Sequence, residues 1–192
     1  MNFKDIHERY YNNYFYLNNN RNKVDEEQKH QDSYKAFLWM LKRAVEKTPL
    51  TINFLNKVAN IINNSATFIS NNIRTSDNIT HLTDLDVDIT KSEDIIKELN
   101  EVLNKYNNMP SNNLDELIKK DAYIMYEFVR IHPYEDGNGR LSSFIMVTDF
   151  ISHGYEFPIM NDYNEYIDYY HNKDLESYLR VLVDRNNNLT RK

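Results

Sequence analysis

The sequence predicts an all-α fold, a bundle of helices that carries one small β-hairpin. Its 192 residues include only three glycines and four prolines, the residues that interrupt helices most often. Apolar residues recur at intervals of three and four along most of the chain, which is the period of a helix that packs one face against a core. No linker rich in proline, glycine or serine divides the chain, so we expect a single domain over residues 1–192.

The helices can be placed in chain order from their apolar spacing and from the residues that break them. The helices are predicted over Glu26–Lys47, Ile52–Ile69, Ser92–Tyr106 and Leu114–His132, after Gly139, and from Asn164 or Leu175 towards the C-terminus. The first of these helices stops before Pro49, and its apolar positions are Tyr34, Phe37, Leu38, Leu41 and Val45.

One segment follows a different period. Residues 83–89, Thr-Asp-Leu-Asp-Val-Asp-Ile, alternate polar and apolar side chains strictly. Alternation of this kind is typical of a half-buried strand. We therefore predict a small hairpin here, within an otherwise helical protein.

Composition excludes several classes of function. The chain has no cysteine, so it can form neither a disulfide framework nor a thiolate metal site, which agrees with a cytoplasmic setting. Its net charge of -6, without a basic run, argues against binding to nucleic acid. No stretch approaches the roughly 18 consecutive apolar residues of a membrane span, and the N-terminus has no signal pattern. Homo-oligomerisation stays open.

A short segment between two predicted helices carries the chemistry. His132 lies in the last turn of one helix, and Pro133 ends that helix. The exposed amides of Gly137-Asn138-Gly139 and of the helix that follows can bind an anion, and Arg140 can bind phosphate through two hydrogen bonds. Asp136 fits beside an anion if a divalent cation lies between them. His132 is the only group nearby whose unperturbed pKa suits proton transfer near neutral pH, so the segment predicts a phosphoryl or nucleotidyl transfer site.

The same segment carries a family resemblance. Residues 132–140, His-Pro-Tyr-Glu-Asp-Gly-Asn-Gly-Arg, closely resemble the signature of Fic domains, His-Pro-Phe-x-Asp/Glu-Gly-Asn-Gly-Arg-x-x-Arg. Phe54-Leu55-Asn56-Lys57 is similar to the family's Leu-His helix, Ile73-Arg74 to its Tyr/Phe-Arg step, and Phe157-Pro158-Ile159 to the turn that closes the motif helix. The resemblance places a Fic core at about residues 50–185, after an N-terminal helical region over residues 1–50.

The resemblance implies a Fic-type helical bundle with a β-hairpin flap, and an enzyme that transfers AMP from ATP to a Ser, Thr or Tyr hydroxyl of a protein. His132 would take the proton from that hydroxyl, and Asp136 would hold Mg²⁺ or Mn²⁺ against the phosphates. Gly137, Asn138 and Gly139 would cradle the α-phosphate, and Arg140 would bind the departing pyrophosphate. The flap, about Thr80 to Thr90, would present the target protein by strand addition.

The chain departs from the family pattern at two places. Ser143 stands at the phosphate-binding position of the signature's final Arg. The N-terminal segment in which relatives place an inhibitory Glu reads Tyr14-Phe15-Tyr16-Leu17-Asn18-Asn19. We therefore expect a protein that is not autoinhibited. Two alternatives stay open: a Fic-fold transferase that uses another nucleotide or phosphoryl donor, and a catalytically degenerate binding or regulatory module.

Overall fold

The computed structural model describes residues 3–15, 26–64, 72–77, 89–160 and 162–190. Within these ranges every regular element is an α-helix, and no strand forms. None of the helices in these ranges is long and apolar enough to cross a membrane. The helices are α1 (Phe3–Phe15), α2 (Glu26–Val45), α3 (Ile52–Ile62), α4 (Ile95–Asn108), α5 (Leu114–Ile131), α6 (Asn138–Ser152), α7 (Tyr163–His171) and α8 (Leu175–Thr190).

Helix α6 is the centre of the bundle. Every side chain from Leu141 to Phe150 is buried, so this stretch has no solvent-facing stripe. Helices α2 and α5 pack most extensively against α6, while α3 makes a smaller contact with it and α8 covers α5. The helix that follows the motif loop is therefore fixed by the core around it.

Helix α1 belongs to the same core. The ring of Tyr10 lies 5.2 Å from that of Phe144 on α6. His7 is fully buried, and its Nε2 atom is 3.1 Å from Ser33 Oγ. Burial and the neighbouring His30 lower the pKa of His7 to about 3. The His7 ring is therefore neutral at pH 7 and acts as a core side chain.

A buried polar cluster joins four helices. Arg43 of α2 donates to Asp149 Oδ1 of α6 at 2.5 Å, and the hydroxyl of Tyr106 on α4 donates to the other oxygen of that carboxylate. Asp121 of α5 is fully buried, and both its oxygens lack a hydrogen-bond partner in the part of the chain that the structure describes. Burial and the negative charge of Asp149 raise the pKa of Asp121 well above its ordinary value. The folded protein therefore favours the neutral Asp121 carboxyl.

Two details of the predicted helices are wrong. The helix predicted to run to Ile69 ends at Ile62, because Asn63 caps it: the Asn63 backbone N–H bonds back into α3 and its side chain turns away to the motif loop. Leu38 and Val45 were assigned to the apolar face of α2, yet they are 36% and 60% exposed. Both residues follow the apolar spacing of three and four, but α2 contacts the core through other residues.

The predicted flap cannot be compared along most of its length. Residues 80–88 lie outside the described residues. Ile89 and Thr90, at the end of the predicted segment, form neither helix nor strand. The hairpin therefore stays a prediction.

Substituting Asp121→Asn should raise the free energy of unfolding at pH 7 by about 1 kcal/mol, the usual size of a single-residue effect. Because the pKa of Asp121 is raised in the folded state, its contribution to stability is fully present below its ordinary pKa of 3.8 and is lost as the pH rises. Urea unfolding from pH 4 to pH 8 should show the difference between variant and parent growing with pH. Asp184→Asn, at an exposed position of α8, is the control. A difference that is constant over this range would contradict the assignment.

Candidate functional site

Helix α5 ends at a left-handed residue, His132, which begins the motif. Its φ is 50° and its ψ 60°, and its N–H donates to the carbonyl of Phe128 at 3.0 Å. Pro133 disfavours helical torsions at the residue before it, so the chain leaves the helix here. A residue other than glycine needs about 1 to 3 kcal/mol to adopt such torsions, so its surroundings must hold it in place.

Arg74 holds this helix end. Its guanidinium is buried, its Nε donates to the carbonyl of His132 at 2.7 Å, and its Nη2 donates to the carbonyl of Ile131 at 3.3 Å and to that of Thr90. The backbone N–H of Arg74 donates to the carbonyl of Pro133 at 2.9 Å. Carbonyls at a helix end have no partner within the helix, so Arg74 supplies the donors that the end of α5 needs.

The remaining donors of Arg74 bind its own segment. Nη1 donates to the carbonyl of Ser76 at 2.9 Å and to Asp77 Oδ1 at 3.3 Å. The N–H of Ser92 donates to the same Asp77 oxygen at 2.6 Å and lowers the pKa of that carboxyl. All five N–H donors of the guanidinium are therefore used, and the chain on either side of residues 78–88 is tied together beside His132.

The interior of the motif loop is fixed by Asn138. Its Nδ2 donates to the carbonyl of Tyr134 at 2.7 Å, and its Oδ1 accepts from the N–H of Tyr134 at 3.0 Å. The Tyr134 ring is fully buried, and its hydroxyl donates to Asn56 Oδ1 on α3 at 2.8 Å. Tyr134 thus has a structural role, because it packs beneath the loop and joins it to α3.

The first turn of α6 presents free backbone donors. Gly137 precedes the helix with φ 88°, a left-handed conformation that favours glycine. The first backbone N–H that bonds within this turn is that of Leu141, to the carbonyl of Gly137 at 2.9 Å. The amides of Asn138, Gly139 and Arg140 therefore have no partner among the described residues. Three such amides at the positive end of a helix dipole are a favourable place for an anion.

Asp136 already engages two further donors of this anion site. Its Oδ1 accepts from the N–H of Gly137 at 2.6 Å, and its Oδ2 accepts from Arg140 Nη2 at 2.9 Å. The same Nη2 atom donates to Asn63 Oδ1 at 3.0 Å. The Asp136 side chain is 49% exposed and that of Arg140 18% exposed. The loop thus holds its own carboxylate where an external anion would bind.

The His132 ring is neutral at pH 7. Burial, together with the positive charge of Arg74, lowers its pKa to about 4, against the opposing effects of the Val129 carbonyl and the Asp136 carboxylate. Its Nδ1 atom is buried without a hydrogen-bond partner within the described ranges. A neutral imidazole can accept a proton, so this ring has the protonation state that a general base requires.

The donor set suits a cation that arrives with a nucleotide. Among the described residues no group of three or more His, Asp or Glu side chains could hold a metal ion. Mg²⁺ in phosphate-transfer sites needs only one or two protein carboxylates, because phosphate oxygens and water supply the other ligands. The half-exposed Asp136 fits this requirement as a single ligand.

Most of the predicted site residues lie in one short segment, which runs from the end of α5 through the first turn of α6. This segment contains His132, Asp136, Gly137, Asn138, Gly139 and Arg140. Ser143 lies one turn further along α6 and is only 1% exposed, so its phosphate-binding role stays a prediction. The side chains of Tyr14 to Asn19 lie outside the described part of the chain.

The sequence does not predict the contacts that two residues make in the site. Nothing marks Asn63 in a chain with many asparagines, although it binds both the loop backbone and Arg140. Only the family resemblance singles out Arg74, and it does not predict that Arg74 binds the end of α5. Long-range contacts of this kind leave no local pattern in a single sequence.

The tyrosines near the C-terminus pack against one another. Tyr126 of α5 stacks on Tyr170 with ring centroids 5.0 Å apart. Tyr166 and Tyr169 lie 5.8 Å and 5.3 Å from the ring of Tyr178. These contacts join α5, α7 and α8, so the tyrosines contribute to the core of the bundle.

Comparison with known families gives a direct result. Residues 3–148, more than half of the chain, match the Fic/DOC family. The chain therefore belongs to this family. The match begins in α1, so it includes the N-terminal helices that precede residue 50.

Individual relatives are more distant. A Fido domain-containing protein of Dictyostelium discoideum is 34% identical over 68 residues, which are 34% of this chain and 48% of that protein. The match thus spans about half the length of this relative. The crystal structure of a Fic domain containing signaling protein from Bacteroides thetaiotaomicron superposes with a TM-score of 0.79 at 16% identity, covering 95% of this chain and 85% of the other. At this identity the similarity establishes the fold alone.

Substituting Arg74→Lys should lower the free energy of unfolding by about 3 kcal/mol, because a lysine has three donors and leaves buried carbonyls without a partner. Urea unfolding measures the change. Arg180→Lys is the matched control, because Arg180 is more exposed and, within the described residues, donates to the carboxylates of Asp115 and Glu176. It should change stability by about 0.5 kcal/mol or less. Equal losses in the two variants would contradict the role of Arg74.

The His132 ring should remain neutral as the pH falls from 7 to 5, because burial lowers its pKa to about 4. Ring proton and nitrogen NMR signals measure the titration, and a His132→Gln variant identifies the signal. A midpoint at pH 6 or above would show that the ring is not buried as described.

Proposed function

We propose that this protein transfers AMP from ATP to a hydroxyl side chain of a protein, either a separate target or itself. One observation carries the proposal: three amides without a partner among the described residues, a cationic Arg140 and a neutral His132 lie within nine residues of chain. This segment is held by Arg74 on one side and by Asn138 on the other. An anion site next to a general base is what a nucleotidyl transfer needs.

The residues divide the reaction between them. Neutral His132 takes the proton of the attacking hydroxyl, whose oxygen forms a bond to the α-phosphorus. The bond from that phosphorus to the bridging oxygen of the β-phosphate breaks, and pyrophosphate leaves. The amides at the start of α6 stabilise the charge on the α-phosphate oxygens, and Arg140 stabilises the leaving pyrophosphate. A bound phosphate also raises the pKa of a nearby imidazole, which makes His132 a stronger base in the complex than in the free protein.

We propose Asp136 as the ligand of Mg²⁺ or Mn²⁺. The cation would neutralise charge on the phosphates during transfer. In the free protein Asp136 accepts from the Gly137 amide and from Arg140. Once it gives up those contacts, both donors become available to an anion.

The target protein is proposed to bind along Thr80 to Thr90. The C-terminal end of this stretch supports the assignment, because Arg74 donates both to the carbonyl of Thr90 and to that of His132. The N–H of Thr90 also donates to the carbonyl of Arg130 at 3.2 Å. A side chain presented from this stretch would therefore start close to the proposed base.

Ser143 favours a second candidate function, a transferase that uses another nucleotide or phosphoryl donor. The signature's final Arg is replaced by a buried serine, so the contact to the outer phosphates that the family signature implies is missing. The same replacement supports activity without an activation step, because an inhibitory Glu would have no Arg at this position to pair with. A degenerate binding module is less well supported, since His132, Asp136 and Arg140 are all present.

Self-labelling separates these functions. The intact chain is incubated with ATP, UTP or GTP labelled at the α- or the γ-phosphate, in the presence of Mg²⁺ or Mn²⁺. We expect label from α-labelled ATP only. Preference for another base or for the γ-label would support the second candidate, and absence of any label would support the binding module.

His132→Ala should abolish labelling while leaving ATP binding and folding intact, because the proposed role of His132 is proton removal. His171→Ala, at an exposed position of α7, is the matched control and should label like the parent. Full labelling by His132→Ala would contradict the role of His132 as the base.

Asp136→Ala should weaken labelling and its dependence on Mg²⁺ concentration together, because the proposed ligand of Asp136 is the cation. If labelling by this variant depends on Mg²⁺ concentration as in the parent, the carboxylate is not a ligand.

A further inference from the structure

Asn63 lies between α3 and the motif loop with both ends of its amide in use. It is 2% exposed, its Nδ2 donates to the carbonyl of Asp136 at 3.2 Å, and its Oδ1 accepts from Arg140 Nη2 at 3.0 Å. The position that a Cβ would take at Gly137 is 3.5 Å from both amide atoms, an ordinary contact distance. The Asn63 amide is thus packed against the loop as well as bonded to it.

These contacts require a neutral group that both donates and accepts. A carboxylate at this position would accept from Arg140 but could not donate to the Asp136 carbonyl, and it would cancel the arginine charge. An aliphatic side chain would make neither bond. Asparagine therefore fixes the loop and Arg140 together while leaving the charge of Arg140 available to an anion.

Arg140 has two anchors of different character. The Asp136 carboxylate is half exposed and charged, so it can move to a cation, whereas Asn63 is buried and neutral. Both accept from Nη2, which carries two hydrogens, so this nitrogen has no donor left. Nε and Nη1 of Arg140 make no hydrogen bond among the described residues. When Asp136 leaves, Asn63 is the contact that still orients the guanidinium.

We propose that Asn63 is a positioning residue that keeps Arg140 oriented towards the phosphates bound by the loop. The proposal rests on the proposed function, in which Arg140 binds the leaving pyrophosphate. Asn63 itself touches no reacting atom; it acts through Arg140.

Calorimetric titration with pyrophosphate and Mg²⁺ tests this role directly. Asn63→Ala should weaken pyrophosphate binding about tenfold, the effect of losing one hydrogen bond to a charged group. Asn56→Ala is the matched control, because Asn56 lies on the same helix and also makes one side-chain bond to the loop, to the Tyr134 hydroxyl. Asn56→Ala should lower stability but leave affinity unchanged, whereas Asn63→Ala should lower both, because only Asn63 contacts Arg140. Equal affinity in the parent and Asn63→Ala would overturn the proposal.

A double-mutant cycle isolates the path through Arg140. In an Arg140→Ala background, Asn63→Ala should change pyrophosphate affinity by less than about twofold, because the residue that it positions is gone. A full tenfold loss in that background would overturn the proposal and assign Asn63 a direct contact with the anion. The ¹⁵N NMR signal of Arg140 Nη2, the atom that donates to Asn63, should shift in Asn63→Ala and stay unchanged in Asn56→Ala.

Asn63→Asp provides a variant of the same shape if Asn63→Ala does not fold. It should also weaken pyrophosphate binding, because a second carboxylate on Arg140 competes with the anion. Unchanged affinity in this variant would overturn the proposal. If the parent does not bind pyrophosphate, both the proposed function and the role of Asn63 are refuted. If the parent binds pyrophosphate and the variants at position 63 bind it equally well, only the role of Asn63 is refuted.

Discussion

The site depends on the way Arg74 satisfies the end of α5. A helix end needs donors for its last carbonyls, and a left-handed histidine followed by proline needs a support that holds it in strained torsions. Arg74 provides both from one buried guanidinium whose five donors are all used. The same side chain binds the described residues on either side of residues 78–88, at Asp77 and Thr90. His132, the proposed base, and Thr90, the end of the proposed target-binding stretch, thus share one anchor.

The loop binds part of its own donor set. Asp136 accepts from the amide of Gly137 and from one nitrogen of Arg140, while the three amides that follow have no partner among the described residues. An ion pair of this exposure contributes little to stability, so exchanging it for a cation on one side and a phosphate on the other requires little free energy. Binding of the cation and of the anion should therefore favour each other. The arrangement keeps Arg140 ordered before any ligand arrives, with Asn63 as the second support.

The sequence predicts the motif loop well because its chemistry is local. The end of α5 at His132, the turn at Gly137 and the start of α6 all follow from residue types within a few positions of one another. The end of α3 does not, because Asn63 stops that helix through bonds to residues more than 70 positions away. The orphaned Asp121 is likewise invisible in sequence, since nothing near it in the chain marks its burial against Asp149.

The central claim is that the first amides of α6 bind the phosphates of a nucleotide. Amide NMR of the His132→Ala protein, titrated with ATP and Mg²⁺, tests it most directly because this variant is expected to bind without turnover. We expect saturable shifts at Asn138, Gly139 and Arg140, and a shift of the Gly137 signal as Asp136 releases that amide. Shifts confined to other parts of the chain, with these four amides unchanged, would contradict it.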